Sequence, residues 1–180
     1  MDMKRILVIA TLIVFTIVLK GNAQENKVKW YTFQEAVKLN EKNHKKIFID
    51  VYTDWCGWCK KMEATTFTDP TIAKILNEEY YAVRFDAESK DTIYFAGHTF
   101  VNEGGTSKSP HQLAVALLQG KMSYPSVAYL NELNQLLTAV PGYYTPDRLE
   151  PILKFFSEDA FKTQSFEDFQ KTFKSQIIKN

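Results

Sequence analysis

Cysteine is nearly absent from this chain of 180 residues: there are two, Cys56 and Cys59. Two cysteines cannot build the bridged framework of a small secreted scaffold, nor the four-ligand set of a structural zinc site. Histidine is almost as scarce, and His44, His98 and His111 are scattered without ligand spacing. Covalent haem attachment needs a histidine directly after the second cysteine, and Lys60 stands there. No metal or organic cofactor is therefore expected. Charge of one sign is lacking too. Against 22 basic residues stand 21 acidic ones, with no basic run, so the chain has no electrostatic footprint for nucleic acid. From Lys27 onward there is no linker, repeat or low-complexity tract.

A long apolar run is also missing. The longest, Ile6 to Leu19, falls short of the roughly 20 residues that cross a bilayer as a helix. Lys4 and Arg5 precede it, and Lys20-Gly21-Asn22-Ala23 follows, with small residues at the two positions that a signal peptidase requires. Residues 1–23 are read as a secretory signal cleaved before Gln24. The chain is accordingly expected to be exported to the periplasm, or membrane-tethered if the signal is left uncut. Without residues 1–23 the formal net charge passes from +1 to −1. No cysteine stands at the cut, so no lipid-modified N-terminus is expected.

What remains, residues 24–180, has the size of one domain, and a hydrophobic content of 45% suffices for a packed core. Thr32 and Glu35 form a capping box over Phe33, Ala36, Val37 and Leu39, so a helix starts there. Ile47 to Tyr52 is a short β-rich run suited to a strand buried on both faces. Cys56 to about Thr66 is read as helical. Asp69-Pro70 opens another helix, with proline at its first position. Tyr80 to Phe85 is a second strand. Ser126 to Leu130 and Leu136 to Val140 form a hairpin about the turn Asn131 to Gln135. Thr145-Pro146 starts a closing helix, and Phe166 to Ile178 is a further amphipathic segment within a C-terminal helical extension of about 160–180. Strands alternating with helices imply an α/β sheet covered on both faces. Residues 88–122 are too long for a simple connection; they hold Tyr94 to Val101, a flexible stretch Asn102 to Ser107 and a helix at His111 to Gln119. His111, opening an apolar helix, is read as structural.

The chemistry lies in Asp50-Val51-Tyr52-Thr53-Asp54-Trp55-Cys56-Gly57-Trp58-Cys59-Lys60. A Cys-x-x-Cys pair closes too small a loop to be a useful staple. Where it follows a buried strand and opens a helix, the first sulfur meets unpaired N–H groups and the positive end of the dipole. The thiolate is favoured there, and the thiolate is the nucleophile. Cys56 is thus the attacking thiol, and Cys59, one turn further in, resolves the mixed disulfide. Asp50, flanked by Ile49 and Val51, is expected to be buried with a raised pKa. Trp55 and Trp58 are either packing residues or a docking surface. Asp54 and Lys60 read as solvated charges.

This run resembles the thioredoxin superfamily, and most closely its exported bacterial members with a Trp-Cys-Gly-Trp-Cys-Lys motif, relatives of periplasmic disulfide-reductase domains. The resemblance covers roughly Trp30 to Ser157. It implies a thioredoxin-like α/β fold with a central mixed sheet, and the loop–helix segment 88–122 inserted before a cis-proline. Asp50 matches the family's buried acid, which would help deprotonate Cys59. Tyr124-Pro125 matches the cis-proline position, which lies against the dithiol and helps bind substrate backbone; with Trp55, Gly57 and Trp58 of the motif these are the expected substrate-binding residues. Trp58 replaces the proline of cytosolic thioredoxins, so the redox poise does not carry over.

The expected function is reduction of disulfides in exported proteins by dithiol–disulfide exchange, in a monomer recharged by a membrane or thioredoxin-type electron donor. An oxidase or isomerase of the same fold, and a client-binding module without chemistry, stand as alternatives.

Overall fold

The computed structural model describes residues 27–177. The expected signal, residues 1–23, lies outside the described residues.

Five strands form the main sheet in the order β1-β3-β2-β6-β7. These are β1 (Trp30–Tyr31), β2 (Lys46–Tyr52), β3 (Tyr80–Asp86), β6 (Ser126–Leu130) and β7 (Leu136–Pro141). β1, β3 and β2 run parallel, whereas β6 and β7 are antiparallel to their neighbours, so the sheet is mixed. The helices are α1 (Phe33–Lys42), α2 (Gly57–Thr65), α3 (Pro70–Glu79), α4 (Gln112–Leu117), α5 (Pro146–Ser157) and α6 (Phe166–Thr172). β1 has only two residues, too few for a hydrophobic period to announce it, and pairs Trp30 with Ala82.

The central strand β2 shows why two layers are needed. Side chains alternate across a strand, and here nearly all are buried. Ile47, Ile49 and Val51 pack with Val83, Phe85, Ala128 and Leu130 beneath α1 (Phe33, Ala36) and α4 (Leu113, Leu117). Phe48 faces the other way, joining Tyr80 and Tyr129 beneath α2 (Met62), α3 (Ile72, Leu76) and α5 (Leu149, Leu153). Asp50 shares the Phe48 face by alternation, and so lies on the side covered by α2. The cap residues act as expected at two helix starts. Thr32 and Glu35 close the capping box of α1, and the Asp69 carboxylate accepts the N–H groups of Thr71 and Ile72 at α3.

Residues 88–122 are built into the fold. Ile93, Leu113 and Leu117 belong to the buried cluster above, and β4 (Ile93–Phe95) pairs with β5 (His98–Phe100) in a hairpin. Its turn places Ala96 and Gly97 at φ 50° and 77°, the left-handed pair that suits a two-residue hairpin loop. The stretch read as flexible is tied down at Asn102, whose amide donates to the carbonyls of Glu88, Ser89 and Ser109. At the C-terminus the amphipathic pattern overstates the helix. α6 stops at Thr172, because the buried Glu150 carboxylate accepts the backbone N–H of Gln176 at 2.7 Å and the Ser175 hydroxyl, which draws the chain out of helical register.

His111 is fully buried, and both of its ring nitrogens are used. Nδ1 accepts the Leu113 N–H at 3.0 Å as the N-cap of α4, which requires Nε2–H to donate to the Asp91 carbonyl at 2.9 Å. His111→Ala removes the cap and orphans that carbonyl, so urea denaturation is expected to show a loss of about 2 kcal/mol. Asn in its place keeps the cap alone and recovers about half of the loss.

Candidate active site

β2 ends at Tyr52, and the chain turns through Thr53 to Trp55 before α2 begins at Gly57. Cys56 is the N-cap residue of α2, with extended φ and ψ of −75° and 101°. Its Sγ accepts the backbone N–H of Cys59 at 3.1 Å. The sulfur therefore occupies the place where a serine or aspartate oxygen would normally satisfy an orphan helix donor. Cys56 and Cys59 are joined in a disulfide. Both cysteines are buried, whereas the flanking Trp55 and Trp58 are 56% and 57% exposed. Gly57 is exposed as well, with open space where a Cβ would be.

The Tyr124–Pro125 peptide bond is cis. It leads directly into β6, whose first residue Ser126 pairs with Val51 at the end of β2, so this loop lies beside the start of α2. The Tyr124 ring packs edge-on against Trp55 at 5.9 Å. Trp55 is also held from the segment 88–122: its indole N–H donates to Glu88 at 2.8 Å, and the Lys108 ammonium sits 5.8 Å from its ring centre. On the other flank Trp58 packs against Tyr143 at 5.2 Å, with Lys61 above both rings. The tryptophans are thus fixed posts on either side of the disulfide. Asp54 and Lys60 are exposed, and among the described residues neither makes an ion pair.

Asp50 is 2% exposed. In the parallel register it lies opposite Arg84 of β3, and Arg84 Nε stands 3.5 Å from its Oδ2. That is an ion pair without a hydrogen bond, since Asp50 Oδ1 and Arg84 Nε have no hydrogen-bonding partner. The guanidinium is also engaged by Glu63 of α2 and packs over the ring of Tyr52 at 4.4 Å. Burial raises the Asp50 carboxyl to about 7; Arg84 opposes the shift and Glu63 reinforces it. Glu63, Arg84, Glu88 and Tyr143 were not singled out from sequence. Only Arg84 carried a signal, as a lone charge in the apolar strand between Val83 and Phe85.

Among the described residues there is no cluster of three or more His, Cys, Asp or Glu side chains placed to hold a metal. No described helix is long and apolar enough to cross a membrane.

Comparison with known proteins places these features in a family. A family model named Thioredox_DsbH, described as a protein of unknown function, DUF255, matches residues 18–160. Human spermatogenesis-associated protein 20 is 35% identical over 77 residues, 42% of this chain and 10% of its own. The thiol:disulfide interchange protein DsbD of Yersinia pestis is 35% identical over 63 residues, 31% of this chain and 11% of its own. The chain thus spans about a tenth of the length of these curated relatives. Among solved structures, a DsbH oxidoreductase superposes with a TM-score of 0.53 at 17% identity, covering 77% of this chain and 87% of that one. A thioredoxin from Thermus thermophilus gives 0.54 at 13%, covering 72% and 87%. At such identities these superpositions establish the fold, which is thioredoxin-like.

The Asp50 carboxyl rises on folding from 3.8 to about 7. Between those values the folded chain binds more protons than the unfolded one, so stability falls as pH rises from about 4 to about 7 and the penalty is complete above that. Asp50→Asn is expected to stabilise the oxidised chain by about 2–4 kcal/mol at about pH 8 and to change little near about pH 4. Urea denaturation at both pH values checks this, and an equal effect at the two would contradict it.

Proposed function

The chain belongs to the Thioredox_DsbH family, and on that premise we propose that it is an exported thiol–disulfide oxidoreductase that reduces client disulfides through Cys56 and Cys59. The observation that carries the reading is Cys56 Sγ standing as the N-cap of α2, in a disulfide with Cys59 and between two exposed tryptophans. A helix N-terminus stabilises negative charge, so the reduced Cys56 is the sulfur that ionises and attacks.

In the reduced chain the Cys56 thiolate attacks one sulfur of a client disulfide. The client S–S bond breaks, one client sulfur leaves as a thiolate, and the other stays bonded to Cys56. Cys59 then gives up its proton, attacks the Cys56 sulfur and releases the second client thiolate. The chain finishes as the Cys56–Cys59 disulfide, and the client has gained two electrons. Asp50 is the proton acceptor for Cys59. A carboxyl with a pKa of about 7 is near the operating pH, where an acid–base group works best. Trp55, Gly57, Trp58 and Tyr124-Pro125 form the surface that receives the client backbone.

The charge pattern favours reduction over oxidation. A disulfide pair is strongly oxidising when its thiolate form is heavily stabilised. Here Gly57 and Trp58 put no charge between the cysteines, and the acid on the α2 side of the sheet opposes a second negative charge once it ionises. Turnover then needs an electron donor of the thiol class, from the membrane or from a thioredoxin-type protein. Residues 1–23 act as the export signal, and residues 24–180 as the working domain. That the Yersinia pestis relative is a thiol:disulfide interchange protein supports the same class of partner.

Cys59→Ser is expected to accumulate mixed disulfides with client proteins, because the resolving thiol is gone, whereas Cys56→Ser is expected to trap none. Non-reducing electrophoresis of the full chain recovered from cells checks this. Equal trapping by both variants would overturn the assignment of roles.

A further inference from the structure

The first two turns of α2 carry two lysines beside the dithiol in sequence. Lys60 and Lys61 are exposed, and among the described residues neither makes an ion pair. The nearby acid on the same helix, Glu63, is engaged by Arg84. Lys61 is nevertheless held in place. Its ammonium is 5.0 Å from the centre of the Trp58 ring and 5.5 Å from that of Tyr143, an arrangement that attracts a cation to the ring faces. The Tyr143 loop is in turn tied to α2, since Thr66 Oγ1 donates to the Tyr144 carbonyl at 2.6 Å and the Thr65 hydroxyl lies 3.3 Å from the Tyr143 hydroxyl. Trp58 lies between the two cysteines in sequence. The result is a positive charge held on an aromatic ledge that starts at exposed Trp58, within the Cys-x-x-Cys run. The opposite flank is mixed in sign, with Lys108 over Trp55 but Glu88 and Asp54 beside it.

We propose that Lys61, carried on the rings of Trp58 and Tyr143, is a specificity-determining residue that draws client segments with acidic residues next to the cysteine under attack. The inference rests on the oxidoreductase reading above and deepens it by naming the substrate class. A client carboxylate on this ledge meets an ammonium that no acid pairs among the described residues, whereas a client lysine meets repulsion. Such charges act mainly on the rate of productive encounter and weaken with salt.

The test uses two peptides identical except that glutamate or lysine flanks a single cysteine, which is linked by a disulfide to thionitrobenzoate. The reduced chain attacks the peptide sulfur, thionitrobenzoate leaves as a coloured thiolate, and Cys59 then displaces the peptide. At low ionic strength the glutamate peptide is expected to react about tenfold faster than the lysine peptide. Lys61→Glu is expected to abolish or invert that ratio, and Lys61→Arg to keep it. Lys38→Glu, the same change of net charge at an exposed position of α1, is expected to leave it alone. An equal rate for both peptides overturns the proposal, as does a ratio unmoved by Lys61→Glu or moved equally by Lys38→Glu. A Lys61 effect exerted only through the reactivity of Cys56 would change both rates together and also counts against it. If neither peptide releases thionitrobenzoate, the oxidoreductase reading itself fails, and this inference with it.

Discussion

Everything at this site depends on one contact, the Cys59 N–H donated to the sulfur of Cys56 at the start of α2. A helix leaves its first N–H groups unpaired, and here a sulfur takes the place of the usual oxygen cap. That single substitution of atom type joins fold to chemistry. The group that starts the helix is also the group that would attack, so the thiolate is stabilised by backbone already in position. β2 makes the placement firm. It is the central strand, paired on both sides and buried on both faces, and it delivers the chain to Cys56 with only a short turn between.

The second constraint is electrostatic. Asp50 is a carboxyl in an apolar layer, and among the described residues its one cationic partner, Arg84, is shared with Glu63 and stacked on Tyr52. A closer pairing would have kept Asp50 ionised and inert. The loose pairing leaves it with a pKa of about 7, at an expense in stability that an apolar residue would avoid. Groups with a strongly shifted pKa gather at functional sites for this reason. Around this centre the rim is held by aromatic packing: Trp55 through Tyr124 and Glu88, Trp58 through Tyr143.

Much of this was legible in the residues alone because the signals were local. The capping box at Thr32 and Glu35, the Asp69-Pro70 start, the apolar run of β2 and the β6–β7 hairpin each depend on neighbours in sequence. So does the position of Cys56 at a helix start. What was not legible depends on neighbours in space. The two-residue β1 exists only by pairing with β3. Arg84 and Asp50 meet through strand register, 34 positions apart. Glu88 reaches Trp55 from a segment that could be placed by sequence only as an insertion. α6 was overextended because the pattern of Phe166 to Ile178 carries no sign that buried Glu150 captures the backbone at Gln176.

The reduction potential of the Cys56–Cys59 couple tests the central claim most directly, measured by equilibrating the full chain with thiol–disulfide buffers of known potential. With no charge on the two residues between the cysteines and an acid opposing a second negative charge, the account predicts a value near that of thioredoxin, about −270 mV. A value near about −120 mV would make the protein a donor of disulfides and contradict the reductive reading.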